Sequence, residues 1–316
     1  MCLKLILRGP IMWFKNAQIY TVDLSDEHKR ILTNPELLES TIKEKSYRPC
    51  QAQEVATLGF APLFGRLSEL YTFNYGPCYF FRIIEETKLL PSQVVKTELE
   101  NLIEEKEANL GRELRKNEIQ SLKTALINQL LTRAFSSQRD MLVMLNIEKS
   151  FCLVSVSSAK RAEKAIAMLR EAFSGTLPAR HFQPRCVVED RMTSWLTDGQ
   201  LPQVFTLGFD TTLKSSDEEG GTIKASKEDL RSEEITMHLA AGKVVTELQL
   251  TFEDSLSFVL TSELALKRMR PEDQYLEQNL PEKTEDAIAD LEAHLILQAD
   301  LLTKVTDTIK GTFDCE

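Results

Sequence analysis

The stretch MLVMLNIEKSFCLVSVSSAKRAEKAIAMLREAF, residues 141–173, contains both kinds of secondary structure from which the chain is built. Residues 141–146 and 151–156 are short apolar runs on either side of a polar turn, a pattern typical of two paired strands. From Ser158 the apolar residues recur at helical spacing as far as Phe173, which predicts an amphipathic helix. The mixed order of strands and helices indicates the α+β class, with antiparallel sheets.

A helical hairpin is predicted before this stretch. Apolar residues at helical spacing run from Ser92 to Gly111, a C-cap residue, and a second helix begins near Asn117. Further upstream, the Asn-Pro-Glu triplet at 34–36 predicts a capped helix that extends to about Lys45. Strands are predicted in the remaining apolar segments, one at 13–24 and two or three within 56–85.

The chain after residue 173 continues the mixture and ends in a long helix. Short helices are predicted at 189–196 and 232–242, and strands at 204–213, 222–225, 243–252, 256–261 and 264–270. The last helix, from about Thr284, carries Ile288, Leu295, Leu302 and Ile309 seven residues apart. Such a seam must pack on an apolar surface, which belongs either to the same chain or to a second one.

These elements divide the chain into five regions. The predicted regions are a flexible leader at 1–11, an N-terminal α/β region at 12–90, a helical hairpin region at 91–136, a second α/β region at 137–271 and an acidic helical region at 272–316. The leader is not a signal peptide, because Lys4 and Arg8 interrupt its apolar residues. No apolar run is long enough to span a bilayer, which excludes an integral helical membrane protein.

Charge is distributed very unevenly along the chain. Of the net charge of −10, residues 272–316 carry −9, with twelve acidic and three basic residues, so the body is almost neutral. Within the body, basic residues form local groups, which are what binding to a phosphate backbone requires. The alternative is that they are ordinary solvated helix faces. The groups lie at 112–123, 160–170, 224–231 and 267–270.

Most enzyme fingerprints are absent from the sequence. It has no G-x-G-x-x-G, Walker A, G-x-S-x-G or H-E-x-x-H motif, and its six cysteines form no C-x-x-C pair. The sequence therefore predicts no cofactor and no metal site, and scattered thiols are typical of the cytoplasm. The acidic sets at 217–219 and 233–234 leave one alternative, a Mg²⁺-dependent nuclease. The WFKN segment at 13–16 is interpreted as core, with base stacking as the alternative.

Several longer stretches resemble one known family. They are MWFKN at 12–16, KLLPSQVVK at 88–96, GRELRKNEIQSLK at 111–123, LLTRAFS at 130–136, SAKRAEKAIAMLR at 158–170, GGTIKASKEDLRSEEIT at 220–236 and AGKVVTELQL at 241–250. In order and spacing they resemble the bacterial recombination-associated RdgC family over residues from about 12 to the C-terminal helix. Thr132 replaces the proline of LLPRAF, and Phe60 stands where the family tends to have Trp.

The resemblance implies a non-enzymatic DNA-binding protein that does not read sequence. Two horseshoe-shaped subunits are expected to close a ring homodimer around duplex DNA, in the cytoplasm and on the nucleoid, and to restrict access of the RecA recombinase. Single-stranded DNA is a further expected ligand, and no membrane partner is expected. An acidic outer surface would reconcile the negative net charge with a basic lumen.

Specific residues follow from the resemblance and from the basic groups. The expected phosphate contacts are Lys160, Arg161, Lys164, Arg112, Arg115, Lys116, Lys224, Lys267 and Arg268, and the expected dimer contacts are Phe135, Lys227 and Glu228. A protein from another class remains possible, namely an acidic interaction module whose C-terminal region imitates DNA and binds DNA-binding proteins.

Overall fold

The computed structural model describes residues 13–215 and 220–315 as two compact units. Unit 1 comprises the described residues of 1–44, 62–82 and 141–316, and unit 2 comprises 45–61 and 83–140. Strands and helices alternate in mixed order, and the described strand pairs are antiparallel, so the α+β class with antiparallel sheets is confirmed.

The strands are β1 (Gln18–Val22), β2 (Ala56–Ala61), β3 (Thr72–Tyr75), β4 (Cys78–Lys88), β5 (Ser136–Asn146), β6 (Phe151–Val154), β7 (Ala179–His181), β8 (Phe205–Ser215), β9 (Thr222–Ala225), β10 (Lys243–Phe252), β11 (Leu256–Thr261) and β12 (Leu266–Pro271). The helices are α1 (Asp26–Thr33), α2 (Pro35–Lys43), α3 (Ser92–Leu110), α4 (Lys116–Leu131), α5 (Ala159–Ala172), α6 (Val188–Thr197), α7 (Glu233–Ala240), α8 (Asp273–Asn279) and α9 (Ala287–Thr312).

Unit 1 contains two sheets. The strands of the first that lie in this unit follow the order β5-β6-β1-β7. The second has five strands in the order β12-β11-β10-β8-β9. One apolar core runs through the unit and includes Phe14, Trp195, Phe252 and Phe258, each no more than 2% exposed. Phe14 is therefore core, and the base-stacking alternative for this residue is wrong.

The long helix α9 packs inside unit 1. Its seam residues Leu295, Leu302 and Ile309 belong to the apolar core of the same chain. The polar Gln298 between them is fully buried, and its side-chain oxygen accepts a hydrogen bond of 2.9 Å from the Phe14 N–H. The heptad pattern is thus satisfied within the chain and is not a coiled-coil seam.

Unit 2 is built on the order β2-β4-β5 and a helical hairpin, α3 and α4. Gly111 ends α3 in the left-handed conformation, with a φ of 65°. Buried apolar residues lie on both the strands and the hairpin of this unit, among them Phe60, Ile83, Val95, Leu126 and Leu131. The predicted hairpin between two β regions is therefore confirmed.

Candidate nucleic-acid interface

The first basic group lies at the turn of the helical hairpin in unit 2. Gly111 ends α3 and Arg115 is the N-cap residue of α4, so Arg112, Arg115 and Lys116 are all exposed in and beside a short turn. Arg112 donates two hydrogen bonds to the Glu118 carboxylate, at 2.8 and 3.0 Å, and the Arg115 N–H donates a third at 2.8 Å.

Glu118 fixes this turn and offsets part of its positive charge. The hydrogen bonds from Arg112 and from the Arg115 backbone lower the pKa of Glu118 to about 2. The carboxylate is therefore ionised at neutral pH and is matched to Arg112. Arg115 and Lys116 are the cations of this turn that are exposed without a side-chain ion pair to Glu118.

The second basic group occupies the start of α5 in unit 1. Lys160 and Lys164 are exposed and Arg161 is half-buried, while Ala162 and Ile166 are buried on the opposite side of the helix. The first turn of α5 contains no acidic residue. Because a helix N-terminus carries partial positive charge, the two cations of the first turn, Lys160 and Arg161, are unfavourable for folding and favourable for binding an anion. Lys164 follows in the second turn, next to the exposed Glu163.

The third basic group lies on the five-stranded sheet of unit 1. The Lys267 ammonium lies 2.8 Å from the Glu247 carboxylate, which also accepts a bond of 3.1 Å from the Thr212 hydroxyl. Thr212 of β8 pairs with Glu247 of β10 on one side and with Lys224 of β9 on the other. The order of the strands therefore brings Lys224 as well as Lys267 near Glu247. The hydrogen bond from Lys267 lowers the pKa of Glu247, although burial opposes it, and Lys224 adds a smaller effect.

Asp210 links this sheet to the predicted dimer contact. It accepts hydrogen bonds from the Ser226 hydroxyl (2.9 Å), the Lys227 N–H (3.0 Å) and the Arg268 guanidinium (2.8 Å). Burial raises the pKa of Asp210, but these three donors outweigh it and leave the pKa below its ordinary value. Lys227 and Arg268 both adopt left-handed backbone, with φ of 58° and 52°, a strained conformation that the three bonds stabilise.

A further cation, Lys15, lies beside this group, whereas the sequence indicated it only as part of the WFKN base-stacking alternative. The Lys15 carbonyl accepts from the Met269 N–H at 2.8 Å, and the Asn16 side chain accepts from the Arg268 N–H at 3.2 Å. Phe14 is buried and Lys15 is exposed, so the side chains of the WFKN segment alternate between the core and solvent where the segment lies beside β12. The pairing of Ala17 with Leu266 continues this contact, and no local pattern indicates a pairing across some 250 residues.

The predicted dimer residues lie at two exposed places. In unit 2, the Phe135 side chain is 84% exposed. The Phe135 carbonyl accepts a hydrogen bond from the Leu89 N–H, and the neighbouring Lys88 N–H donates to the Val55 carbonyl. Leu89 and Val55 are also exposed. In unit 1, Lys227 and Glu228 are exposed, and the Glu228 N–H donates to the Phe209 carbonyl at 3.1 Å.

A cavity of about 350 Å³ lies beside Lys227 and Glu228. It is lined mainly by apolar side chains, with Asp229 and Arg231 at its edge. The apolar lining residues are Leu201, Phe205, Leu207, Phe209 and Leu230.

Two other sequence expectations concern metals and membranes. Glu233 and Glu234 are exposed in the first turn of α7, and the acidic set at 217–219 lies outside the described residues. Across residues 13–215 and 220–315, no three His, Cys, Asp or Glu side chains gather in a group suited to a metal ion. None of the helices in this described part of the chain has the length and apolarity needed to cross a membrane.

The sequence matches one protein family over almost the whole chain. The chain is a mixed α+β protein with three exposed basic groups on a negatively charged polypeptide. Residues 12–316 match the family model described as "Putative exonuclease, RdgC". The chain belongs to the RdgC family.

Relatives named "Recombination-associated protein RdgC" align with almost the whole chain. The protein of Shewanella halifaxensis is 32% identical over 307 residues, which cover 96% of this chain and 99% of the relative. That of Tolumonas auensis is 34% identical over 293 residues, covering 93% and 95%. That of Proteus mirabilis is 33% identical over 299 residues, covering 95% and 97%.

Proposed function

We propose that this protein binds DNA without sequence preference, as a ring-shaped homodimer that encloses the duplex and restricts RecA. It acts in recombination without catalysing a reaction, in the cytoplasm and on the nucleoid. The names of its relatives associate them with recombination, and DNA is the substrate common to recombination proteins.

The observation that carries the proposal is the basic start of α5. Lys160, Arg161 and Lys164 stand in the first two turns of a helix whose first turn lacks an acid. The cations near the start of the helix repel the partial positive charge of the helix N-terminus, and a bound phosphate would relieve this repulsion. Phosphate contacts supply affinity but no information on base sequence, which is why we expect binding without sequence preference.

The α5 group is tested by reversing its charge. The variant K160E/R161E/K164E removes up to three phosphate contacts, so the slope of log K against log salt should become less steep by about 2–3. The variant K29E/R30E/K304E is the matched control, because it changes three exposed cations elsewhere in unit 1 by the same charge. If both variants bind a fluorescent duplex alike, α5 does not contact DNA.

The homodimer rests on two surfaces of complementary chemistry. We expect Phe135 of one subunit to enter the cavity beside Lys227 and Glu228 of the other, since a strongly exposed phenyl ring and an apolar cavity both gain by association. Repeated by two-fold symmetry, this contact is self-complementary, as a closed dimer requires.

The dimer contact is tested by Phe135→Ala, which should shift the sedimentation coefficient toward the monomer at micromolar concentration. Val187→Ala is the control, because Val187 is also an exposed apolar residue, at 58%. Equal dimer fractions in both variants would exclude Phe135 from the interface.

Encirclement predicts a topological difference that simple adhesion does not. Protein loaded on nicked circular duplex should resist a high-salt wash, whereas protein on a linear duplex of equal length should slide off its ends. Blocking the ends of the linear duplex should restore retention. Equal loss from all three substrates would contradict a ring.

Restriction of RecA is tested separately. RecA-driven strand exchange should slow when the duplex is preloaded with this protein, and K160E/R161E/K164E should not slow it. If the variant slows strand exchange as well as the unaltered protein, the effect does not depend on DNA binding through α5.

One specific observation favours an alternative, an acidic module that imitates DNA. Glu277 is exposed on α8, and Glu282, Glu285 and Asp286 are exposed between α8 and the start of α9. All four lie in the region that carries most of the negative charge. A mimic would bind DNA-binding proteins through these acids, and E277Q/E282Q/E285Q/D286N would abolish that binding. The DNA-binding account predicts unchanged or stronger duplex affinity in the same variant. Because the family model is described as an exonuclease, linear duplex and plasmid incubated with Mg²⁺ are necessary controls. Shortening of the linear duplex from its ends, or nicking of the plasmid, would overturn the non-enzymatic part of the proposal.

A further inference from the structure

Two cysteines lie on neighbouring segments of unit 1. Pro184 and Cys315 form an isolated antiparallel bridge, and the Arg185 N–H donates to the Phe313 carbonyl at 3.3 Å. Cys186 lies in a bend two residues beyond Pro184. Its thiol lies 3.7 Å from the Phe313 carbonyl oxygen, which directs it toward the segment that contains Cys315.

The two thiols differ in access to solvent. Cys186 is half-buried, whereas Cys315 is 8% exposed. Burial, and after it the neighbouring Cys186, raises the pKa of Cys315 to about 11. Cys315 is therefore protonated and shielded at neutral pH, and an oxidant in solution meets Cys186 first.

The two thiols are near neighbours, because the Cys186 sulfur lies 3.7 Å from the Phe313 carbonyl oxygen and Cys186 acts electrostatically on Cys315. A disulfide joins Cα atoms that are roughly 4.4–6.8 Å apart. The local restraint is light, because the Arg185–Asp314 ion pair spans 3.8 Å and both side chains are largely exposed.

We propose that Cys186 and Cys315 are a redox modification site, in which a peroxide converts the two thiols into a disulfide. Cys186 ionises and its thiolate attacks a peroxide oxygen. The O–O bond breaks, and the leaving hydroxide takes up the proton that Cys186 lost, so a sulfenic acid and one water form. The Cys315 sulfur then attacks the sulfenic sulfur, the S–O bond breaks as the S–S bond forms, and the Cys315 proton leaves with the hydroxyl group as a second water. Two thiols are oxidised and one hydrogen peroxide is reduced to two waters.

The disulfide covalently joins the segment after α9 to the segment before α6. Both segments flank the core in which Trp195 of α6 packs against Phe313, with ring centroids 5.6 Å apart. Oxidation therefore cross-links two segments that flank the same part of the core, and it should raise the melting temperature of the protein. This inference does not depend on the proposed DNA binding.

Peptide mapping tests the site directly on the full-length folded protein. Hydrogen peroxide is added at neutral pH, free thiols are blocked, and the protein is digested with trypsin without reduction. Cleavage after Arg185 and Arg191 gives CVVEDR, and cleavage after Lys310 gives GTFDCE, which contains Cys315. We expect these two peptides to be joined in the majority of monomeric chains and to separate after dithiothreitol.

Matched variants distinguish the thiol that reacts with peroxide from the thiol that completes the disulfide. Cys186→Ser should abolish the cross-link and leave Cys315 as a free thiol, because Cys315 is shielded. Cys50→Ser changes another half-buried cysteine, in unit 2, and should leave the cross-link and the rise in melting temperature unchanged. Because Cys186 is not fully buried, Cys186→Ser is expected to fold, and far-UV circular dichroism verifies this.

Three outcomes would overturn the inference. The first is oxidation of Cys186 to sulfinic acid with Cys315 unmodified. The second is a disulfide between Cys186 residues of two chains, seen as a dimer on a non-reducing gel. The third is a cross-link that forms only above the melting temperature, because the folded geometry would then play no part.

Discussion

Neutralising Asp210 should strengthen DNA binding while weakening the fold. Asp210 holds Arg268 by a hydrogen bond of 2.8 Å and fixes the Ser226–Lys227 turn by two more. In Asp210→Asn the amide oxygen still accepts from the turn, but the negative charge that neutralises Arg268 is lost. Arg268 is then available to a phosphate.

The magnitudes follow from exposure and from counterion release. The Arg268 side chain is 63% exposed and that of Asp210 is 17% exposed, so solvent screens the pair and its loss should cost about 1 kcal/mol of unfolding free energy. One added phosphate contact makes the salt slope steeper by about 0.9 and raises affinity about fivefold near 0.15 M salt.

Fluorescence anisotropy of a labelled duplex across salt concentrations measures both quantities, and urea unfolding measures the stability. Glu54→Gln is the control, because it removes the carboxylate partner of Arg48 in unit 2 and changes the net charge equally. If Asp210→Asn and Glu54→Gln give the same affinity and slope, Arg268 does not reach DNA and the sheet group is not part of the interface.

Three further predictions concern stability. Gln298→Leu leaves the buried Phe14 N–H without its acceptor and should lower the unfolding free energy by about 1–3 kcal/mol in urea titrations. Gly59→Ala places a Cβ 2.4 Å from the Tyr47 Cα and should destabilise unit 2 by about 1–3 kcal/mol, so a cost below that of a surface Ala substitution would refute the contact. The pKa of Glu118 is lowered, from 4.5 to about 2, so its stabilisation is complete above pH 4.5 and is lost as pH falls toward 2. Glu118→Gln should therefore flatten the acid limb of stability against pH, and an unchanged limb would contradict the assignment.

Local signals predicted two helix ends. Asn34 caps α2, and its side chain accepts from the Leu37 N–H at 3.1 Å. Gly111 ends α3 as expected. The helices α1 and α8 were missed, because with eight and seven residues they are too short to show a helical period. The capping box at the start of α1 uses His28 in place of the usual acid.

The candidate interface was only partly visible in the sequence, for a physical reason. The groups on α5 and in the hairpin turn are local in sequence, so helical periodicity alone predicts their exposure. The meeting of Lys224 with Lys267 around Glu247 depends on strand order, and the approach of Lys15 to β12 depends on one long-range pairing. Neither follows from a local pattern. The role of Asp210 was missed for the same reason.

The central claim is that this protein, acidic overall, binds duplex DNA through phosphate contacts and does so as a dimer. The most direct measurement is binding to two duplexes of unrelated sequence across a salt series, on protein whose mass in solution is determined in the same buffer. The account predicts a dimer of twice 36.0 kDa, equal affinity for both duplexes and a steep loss of affinity with salt. A protein that binds neither duplex at low salt would contradict it.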